Sequence, residues 1–329
     1  MIAERLTASI LGQALGDALG FVVESEPPSV AQAYVDEWLR AGRAGERSHP
    51  QYPFGQYTDD TQLARELLRS FQQARGWDPA VFAARIARLF SERREVGAGR
   101  GTRGAALRLL NGVPWQTSGT PAPYAGNGAA MRAGPLGLLL ADDTVMCRAA
   151  EDQARITHLD PRCAAGSAVI GRAVALAARR APLDPRDFIE DLAACADRTD
   201  SSVAAAIRGL ADWVTLRPME AAQHVHAAGL DPGHSRTWQG ISAFVIPSVL
   251  WSLYAFLRSP DDYWETIHTA IAVGGDTDTM AAMAGAISGA RVGVDALPSG
   301  LLERINDRGE WGAPALAELA GACSSIAGA

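Results

Sequence analysis

Two short segments place aspartates beside threonines directly ahead of apolar-periodic runs. The first is TDDT at residues 58–61, and the second is DTDT at residues 276–279, which follows Gly274-Gly275. Threonine is a good helix N-cap and acids in a first turn suit the helix dipole, so each segment predicts a helix start. Carboxylate and hydroxyl oxygens are also hard ligands that suit Mg²⁺ or Mn²⁺ better than zinc. The pattern leaves two interpretations open: two unrelated helix starts, or one shared metal site.

The two interpretations differ in what the segments require if they meet in the fold. Two like charges about 4 Å apart repel by roughly 4 kcal/mol at an effective dielectric of about 20. Converging carboxylates therefore need a cation among them. Sequence spacing alone does not show that the segments meet.

Two further acids lie in GDALGFVVESEPP, near the start of the chain. Asp17 falls inside an otherwise apolar helix, and a buried aspartate is costly unless it is paired or hydrogen-bonded. We interpret it as a structural acid that binds backbone amides or an arginine. From the residues alone, Glu24 is an exposed helix end.

Glycine-rich loops lie between the predicted helices, at VGAGRGTRG (96–104) and AGNGAAMRAGP (125–135). Each loop is either a tight turn or a row of backbone amides ahead of a helix, and such amides bind phosphate. His158 alone is more typical of a packing residue than of a catalyst. Tyr57, Tyr124 and Trp238 lie near the loops and are candidates for stacking on a base or for core packing.

Helical periodicity dominates the elements that must position these residues. It predicts helices at 2–18, 62–74, 80–91, 104–110, 163–179, 187–196, 201–210, 244–257 and 279–291. Alternating strand-like runs are nearly absent, and no linker or repeat divides the chain. Small residues on the helix faces favour close packing. The sequence predicts one all-α domain over residues 1–329.

Composition limits the partners and the chemistry. The 329 residues are 48% hydrophobic with a net charge of -7, which argues against nucleic acid or an anionic membrane as partner. The chain has no lysine, which excludes Schiff-base chemistry and a Walker phosphate loop. Its four cysteines have no C-x-x-C spacing and predict reduced thiols. With no basic leader and no apolar run of membrane-spanning length, we expect a soluble cytoplasmic monomer.

Five motifs in fixed order resemble those of the ADP-ribosylglycohydrolase family. They are GDALG…E at 16–24, TDDT at 58–61, GNGAAMR at 126–132, THxxP at 157–161 and GGDTDT at 274–279. The resemblance extends over about residues 4–291, nearly the whole chain. Each motif is weak by itself, but their order makes the resemblance specific.

The resemblance implies a single compact orthogonal many-helix bundle with two Mg²⁺ or Mn²⁺ ions in a central cleft. It also implies hydrolysis of the glycosidic bond between ADP-ribose and an acceptor, in an ADP-ribosylated protein or an ADP-ribose-containing small molecule. Glu24 and Asp60 are the candidate catalytic acids. The implied metal ligands are Thr58, Asp59, Asp60, Asp276, Asp278 and Thr279. The implied substrate contacts are Gly99, Gly101, Asn127, Gly128, Met131 and His158.

The acceptor residue depends on one departure from the family pattern. Some members that release arginine carry an aspartate in a D-x-G segment, whereas this chain has Glu95 in REVGAG. We predict that Glu95 contacts the substrate and that arginine-linked ADP-ribose is preferred over serine-linked or O-acyl ADP-ribose. Two alternatives stay open: a dinuclear hydrolase of another ribosyl or phosphoester compound, and a non-catalytic ADP-ribose-binding or structural relative.

Overall fold

Helices form nearly all the regular structure in a computed structural model that describes residues 2–229 and 239–328. Those residues contain isolated β-bridges and no β-strand. The α-helices are α1 Ile2–Gly20, α2 Pro28–Tyr34, α3 Asp59–Ala74, α4 Pro79–Ser91, α5 Arg100–Leu110, α6 Leu136–Leu139, α7 Asp143–Thr157, α8 Pro161–Ala178, α9 Pro185–Asp197, α10 Ser201–Trp213, α11 Pro218–Ala227, α12 Val245–Arg258, α13 Tyr263–Ala272, α14 Thr277–Val292, α15 Ser299–Leu302 and α16 Ala313–Ala327. The all-α prediction is confirmed.

All nine helices predicted from periodicity are present, and most begin earlier than predicted. The reason is capping: α8 begins at Pro161 behind the N-cap Asp160, and α9 at Pro185 behind Asp184. Proline tolerates the first helical turn because its missing N–H has no intrahelical partner there. The helices that were not among the predicted elements are α2, α6, α7, α11, α13, α15 and α16.

Helices α1 and α14 pack antiparallel at very close range and form the centre of the fold. A Cβ atom added at Gly16 would collide with the carbonyl oxygen of Ala281, and one at Gly20 with that of Thr277. Only glycine allows this approach, which agrees with the prediction of close packing between small-residue faces. The contact brings the C-terminal end of α1 beside the N-terminal end of α14.

Helix α3 lies against α1, α4 and α16. Its predicted apolar stripe, Leu63, Leu67 and Leu68, is completely buried. The helix also carries buried polar residues, because the loop before α16 places Asp307 against it. The N-terminal end of α3 lies beside the C-terminal end of α1 and the N-terminal end of α14.

The segment Ile2–Val23 is long and apolar enough to cross a membrane by length and composition, unlike the prediction that no run reaches that length. Inside the fold, 89% of its apolar window is buried. Its apolar character is explained by its contacts with α14, α16 and α3, which surround it.

Candidate functional site

The two aspartate–threonine segments meet. Carboxylate oxygens of Asp17, Asp60 and Asp278 lie within 4.8 Å of one another, and so do those of Glu24, Asp276 and Asp278. Four of these five acids are buried, and Glu24 is partly exposed. The question that the sequence leaves open is therefore decided: the two helix starts share one site.

Asp17 fixes the first segment in place. Its Oδ1 accepts hydrogen bonds from the amide (2.9 Å) and the hydroxyl (3.0 Å) of Thr58. Its Oδ2 accepts from the amide (3.0 Å) and the hydroxyl (2.6 Å) of Thr61. These bonds agree with the interpretation of Asp17 as a structural acid. The close packing of α1 on α14 thus also determines the position of the α3 N-terminus.

The first segment begins α3 and leaves one carboxylate oxygen without a partner. Thr58 is the N-cap, and its Oγ1 lies 2.9 Å from Oδ2 of Asp60. The amide of Asp59 donates to the carbonyl of Val96 at 2.7 Å, which ties the segment to the glycine-rich loop. The buried Oδ1 of Asp60 has no hydrogen-bond partner. A buried acceptor in this state points to a ligand, since such atoms are normally satisfied.

The second segment begins α14 through a turn that only glycine forms easily. Gly274 and Gly275 have φ of +70° and +86°, and the amide of Asp276 then donates to Ile241 at 2.9 Å. The Asp276 carboxylate accepts a short hydrogen bond from the side-chain amide of Asn127. Asp278 Oδ1 accepts from the amide of Thr279 at 2.9 Å.

The acids raise one another's pKa values. Burial raises the pKa of Asp17 and of Asp276 to about 6. Burial, with the nearby charges of Asp276 and Asp17, raises that of Glu24 to about 7. Burial and neighbouring carboxylates hold the pKa values of Asp59, Asp60 and Asp278 well above the usual range.

This cluster fits a hard divalent cation. It offers several carboxylates, two threonine hydroxyls and an unpartnered oxygen, which are the ligand types that Mg²⁺ and Mn²⁺ prefer. Among the described residues, one nearby cation lowers a raised pKa: Arg132 lowers that of Asp59. Within the described part of the chain, the cluster therefore gathers more negative charge than nearby positive charge.

A cleft of about 740 Å³ opens above the cluster. The predicted site residues that line it are Glu24, Asp59, Asp60, Gly99, Gly101, Asn127, Gly128, Met131, His158, Asp276, Asp278 and Thr279. Thr58 lies beneath the lining and is completely buried. The fold thus collects residues from five distant motifs on one surface.

The glycine-rich segments form one wall of the cleft. Gly99 is the N-cap of α5 and lines the cleft, and the amide of Gly101 donates to the Tyr124 hydroxyl at 3.2 Å. A Cβ atom at Gly101 would collide with the Tyr124 ring, and one at Gly128 would crowd Thr102 and His158. Both positions require glycine because a side chain would collide with the neighbouring residues.

His158 is buried and uncharged at the end of α7. Burial and the charge of Arg132 lower its pKa to about 3. Its Nδ1 lies 2.9 Å from the Thr157 hydroxyl, and its ring stacks on Tyr124 with centroids 5.9 Å apart. Arg132 donates to Gln153 and Thr157, so it supports this end of α7. His158 therefore lines the cleft as a neutral side chain.

Glu95 differs from the other predicted contacts. It is not among the residues that line the cleft, and its Oε1 accepts from Nη1 of Arg103 at 2.7 Å. The salt bridge forms because Arg103 lies on the first turn of α5, facing the preceding loop. The Oε2 of Glu95 is buried and has no hydrogen-bond partner, and the role of Glu95 in substrate binding stays a prediction.

Other aromatic and basic residues change the sequence-based description of the cleft. Tyr57 is buried away from it and donates to the Trp311 carbonyl at 3.0 Å, so it packs in the core. Tyr124 does line the cleft. Trp238 lies outside the described residues. Arg100 and Arg162 line the cleft and were missed, although one stands between two predicted glycines and the other directly follows THxxP.

Comparison with known proteins agrees with this site. The profile of the ADP-ribosylglycohydrolase family matches residues 1–327. An uncharacterized protein of Archaeoglobus fulgidus is 31% identical over 310 residues, which cover 93% of this chain and 92% of that protein. The ADP-ribosyl-[dinitrogen reductase] glycohydrolase of Rhodospirillum rubrum is 29% identical and covers 93% of this chain and 91% of its own.

Relatives with lower sequence identity also match over most of both chains. The ADP-ribosylhydrolase ARH3 of Homo sapiens is 27% identical, covering 89% of this chain and 87% of its own. A solved structure described as an ADP-ribosylglycohydrolase-related protein complex superposes with a TM-score of 0.74 at 26% identity, over 99% of both chains. The full-length family match and the shared fold lead to one conclusion. This chain belongs to the ADP-ribosylglycohydrolase family and is an ADP-ribosylhydrolase, a glycosidase that acts on linkages to ADP-ribose.

Proposed function

We propose that this enzyme cleaves the glycosidic bond between ADP-ribose and a protein arginine, and that it does so with two Mg²⁺ or Mn²⁺ ions. The observation that carries the proposal is the convergence of the two aspartate–threonine segments at the base of a cleft walled by glycine-rich loops. The family is metal-dependent, and the clustered acids offer the hard oxygen ligands that such ions require.

In this proposal the residues of the two segments hold the ions. The ligands are Thr58, Asp59, Asp60, Asp276, Asp278 and Thr279. When bound by these residues, the ions would supply Lewis-acid chemistry for the ribose hydroxyls and for a water molecule. Asp17 binds no substrate; it positions Thr58 and Thr61 through its four hydrogen bonds.

The proton of the attacking water needs an acceptor at the cleft. Glu24 and Asp60 both line it, and each has a carboxylate close to the other acids. Cleavage passes through an oxocarbenium-like state whose positive charge the surrounding carboxylates stabilise. We assign the proton transfer to Glu24 or Asp60.

The diphosphate of ADP-ribose fits the opposite wall. The N-terminus of α5, which begins behind Gly99, favours anions through its dipole, although the Gly101 amide already donates to Tyr124. Asn127, Gly128 and Met131 extend this surface, and neutral His158 closes it. In a chain without lysine, Arg100 and Arg162 are the cations that line the cleft.

The preference for arginine rests on similarity to a relative named for an ADP-ribosylated dinitrogen reductase, and on the acidic cleft. One observation favours a second candidate, a serine-linked or O-acyl acceptor: the Glu95 carboxylate is already bound to Arg103. The salt bridge occupies Oε1 and leaves the buried Oε2 without a hydrogen-bond partner, so a guanidinium would have to share the carboxylate with Arg103. Relatives at 27% identity are named ADP-ribosylhydrolase ARH3.

The test is hydrolysis of arginine-linked, serine-linked and O-acyl ADP-ribose under identical conditions, with and without a chelator, with chromatographic detection of intact ADP-ribose. We expect release from the arginine linkage, abolished by chelator and restored by Mg²⁺ or Mn²⁺. Activity on serine alone would replace the first acceptor by the second. No release of ADP-ribose from any of the three would contradict the proposed reaction.

A further inference from the structure

A second cavity, separate from the cleft, encloses a pair of thiols. Cys147 on α7 and Cys195 on α9 have sulfur atoms 3.5 Å apart, although 48 residues separate them in the chain. They line a depression of about 290 Å³ together with Asp143, Met146, Arg172, Asp191, Ala194 and Arg198. Each cysteine keeps a small exposed fraction, 5% and 8% respectively. A small oxidant therefore has access to both thiols.

The other two cysteines provide an internal comparison. Cys163 and Cys323 have no exposed surface, and each donates its S–H to a carbonyl, that of Gly126 and that of Leu68 respectively. Burial raises the pKa of Cys323 to about 12 and also raises that of Cys163. Both are inert by burial, the usual condition of a structural cysteine.

We propose that Cys147 and Cys195 form a dithiol site that a peroxide oxidises to an intramolecular disulfide, which joins α7 to α9. A disulfide requires a sulfur–sulfur distance of about 2.05 Å, so each sulfur needs to move by only about 0.7 Å. Both helices pack against α8 and neither crosses the other at length. The new bond would connect two elements that are otherwise linked mainly through a third.

The local environment favours the reaction at Cys147. The hydrogen bond from the Cys195 thiol and the charge of Arg198 lower the pKa of Cys147 to about 7. The same bond raises the pKa of Cys195, which keeps its proton. One thiolate and one thiol in contact are the reactants that stepwise disulfide formation needs.

The chemistry balances with hydrogen peroxide as oxidant. The Cys147 thiolate attacks one peroxide oxygen; a sulfur–oxygen bond forms, the oxygen–oxygen bond breaks, and hydroxide leaves as water after taking a proton. The Cys195 sulfur then attacks the sulfenic acid, losing its proton as the disulfide forms and a second water leaves. Two thiols are oxidised and one peroxide is reduced to two waters.

The experiment treats the folded full-length protein with a small excess of hydrogen peroxide, blocks free thiols by alkylation, and digests with trypsin. The expected product is a linked pair of peptides, residues 133–148 and 187–198, with a mass two hydrogens below the sum. Two of the four cysteines remain alkylated. Dithiothreitol should restore all four.

Three variants separate this result from non-specific oxidation. Cys147→Ser and Cys195→Ser should give no linked peptide, whereas the matched control Cys323→Ser should give the same pair as wild type. Oxidation should also raise the thermal unfolding midpoint of wild type by about 5 °C, reversibly, and leave Cys147→Ser unchanged. Four alkylated cysteines after peroxide, or links that involve Cys163 or Cys323, would overturn the proposal. Neither outcome depends on hydrolase activity.

Discussion

Helix α3 carries two groups of buried acids that the fold treats differently. Near its N-terminus, Asp59 and Asp60 face other carboxylates, and one Asp60 oxygen has no partner. Two turns later, Glu66 accepts from Arg65 at 3.1 Å, Arg69 at 2.9 Å and Arg85 at 2.9 Å. We call this second group, with Asp307, which accepts from Arg65 at 2.7 Å, the arginine network.

The difference shows how to distinguish a structural cluster of charges from a functional one. In the arginine network every acid has a cation supplied by the chain. In the cleft no described arginine forms a salt bridge with the carboxylates, and they raise one another's pKa values. Burial of unpaired charge is costly, so an arrangement of this kind is retained only where something outside the chain compensates it.

The largest expected effect is on catalysis. Asp278→Asn preserves the shape of the side chain and removes a cleft carboxylate. That carboxylate belongs to both sets of three converging acids, the one with Asp60 and the one with Glu24. We expect the hydrolysis rate to fall by about a thousandfold, because cation binding and charge stabilisation are both lost. Steady-state kinetics at saturating Mg²⁺ measure this. A rate within tenfold of wild type would remove the distinction between the two groups.

The matched change in the arginine network should lower stability and leave catalysis nearly unchanged. Glu66→Gln removes the carboxylate shared by buried Arg65, which keeps only Asp307, and half-buried Arg85, so we expect the free energy of unfolding to fall by about 3 kcal/mol. Hydrolysis at a temperature where the variant is folded should change less than threefold. Urea unfolding and kinetics on the same sample test both parts. An activity loss as large as that of Asp278→Asn would contradict the comparison.

Cation binding should stabilise the wild-type fold and not the cleft variant. At a Mg²⁺ concentration of about 100 times its Kd, the expected gain in unfolding free energy is about 2.7 kcal/mol. Glu66→Gln should gain as much, and Asp278→Asn should gain little. Unfolding curves with chelator and with Mg²⁺ provide the measurement. Equal gains in all three proteins would indicate binding elsewhere.

The smallest expected effect is the pH dependence of stability that comes from neutral His158 in the wall of the cleft. The folded-state pKa of His158 is about 3, below its usual value of 6.5, so the unfolded chain binds a proton more readily. Its contribution to stability is therefore complete above about pH 6.5 and is lost as the pH falls towards 3. At pH 5 the loss should be about 2 kcal/mol.

His158→Asn should lack this pH dependence. The cleft carboxylates, whose pKa values are raised, act in the opposite direction, so the difference between the two proteins is the quantity to compare. Urea unfolding of both proteins at pH 5 and pH 7.5 measures it. The same pH response in wild type and variant would show that His158 is protonated in the folded protein.

Local patterns account for most of what the sequence predicts correctly. Proline and aspartate at helix starts, leucines at helical spacing and small residues on α1 and α14 act over one or two turns. The order of the five motifs indicated the family, and the family resemblance in turn indicated residues that line the cleft. The surroundings of Glu95 lay beyond this reasoning, because its salt bridge to Arg103 depends on how the loop before α5 turns. Tyr57 takes the second of the two roles that the sequence left open, core packing, and that choice depends on the loop before α16.

The sequence by itself determined the all-α class, the positions of nine helices and the chemical nature of the two aspartate–threonine helix starts. These follow from interactions between neighbours in the chain, such as capping, dipole and periodicity. Only the tertiary structure decided that Asp60 and Asp278 share one site, and that Glu66 does not belong to it. Such distances depend on contacts between residues far apart in the chain. Here they depend on the glycine-mediated packing of α1 against α14.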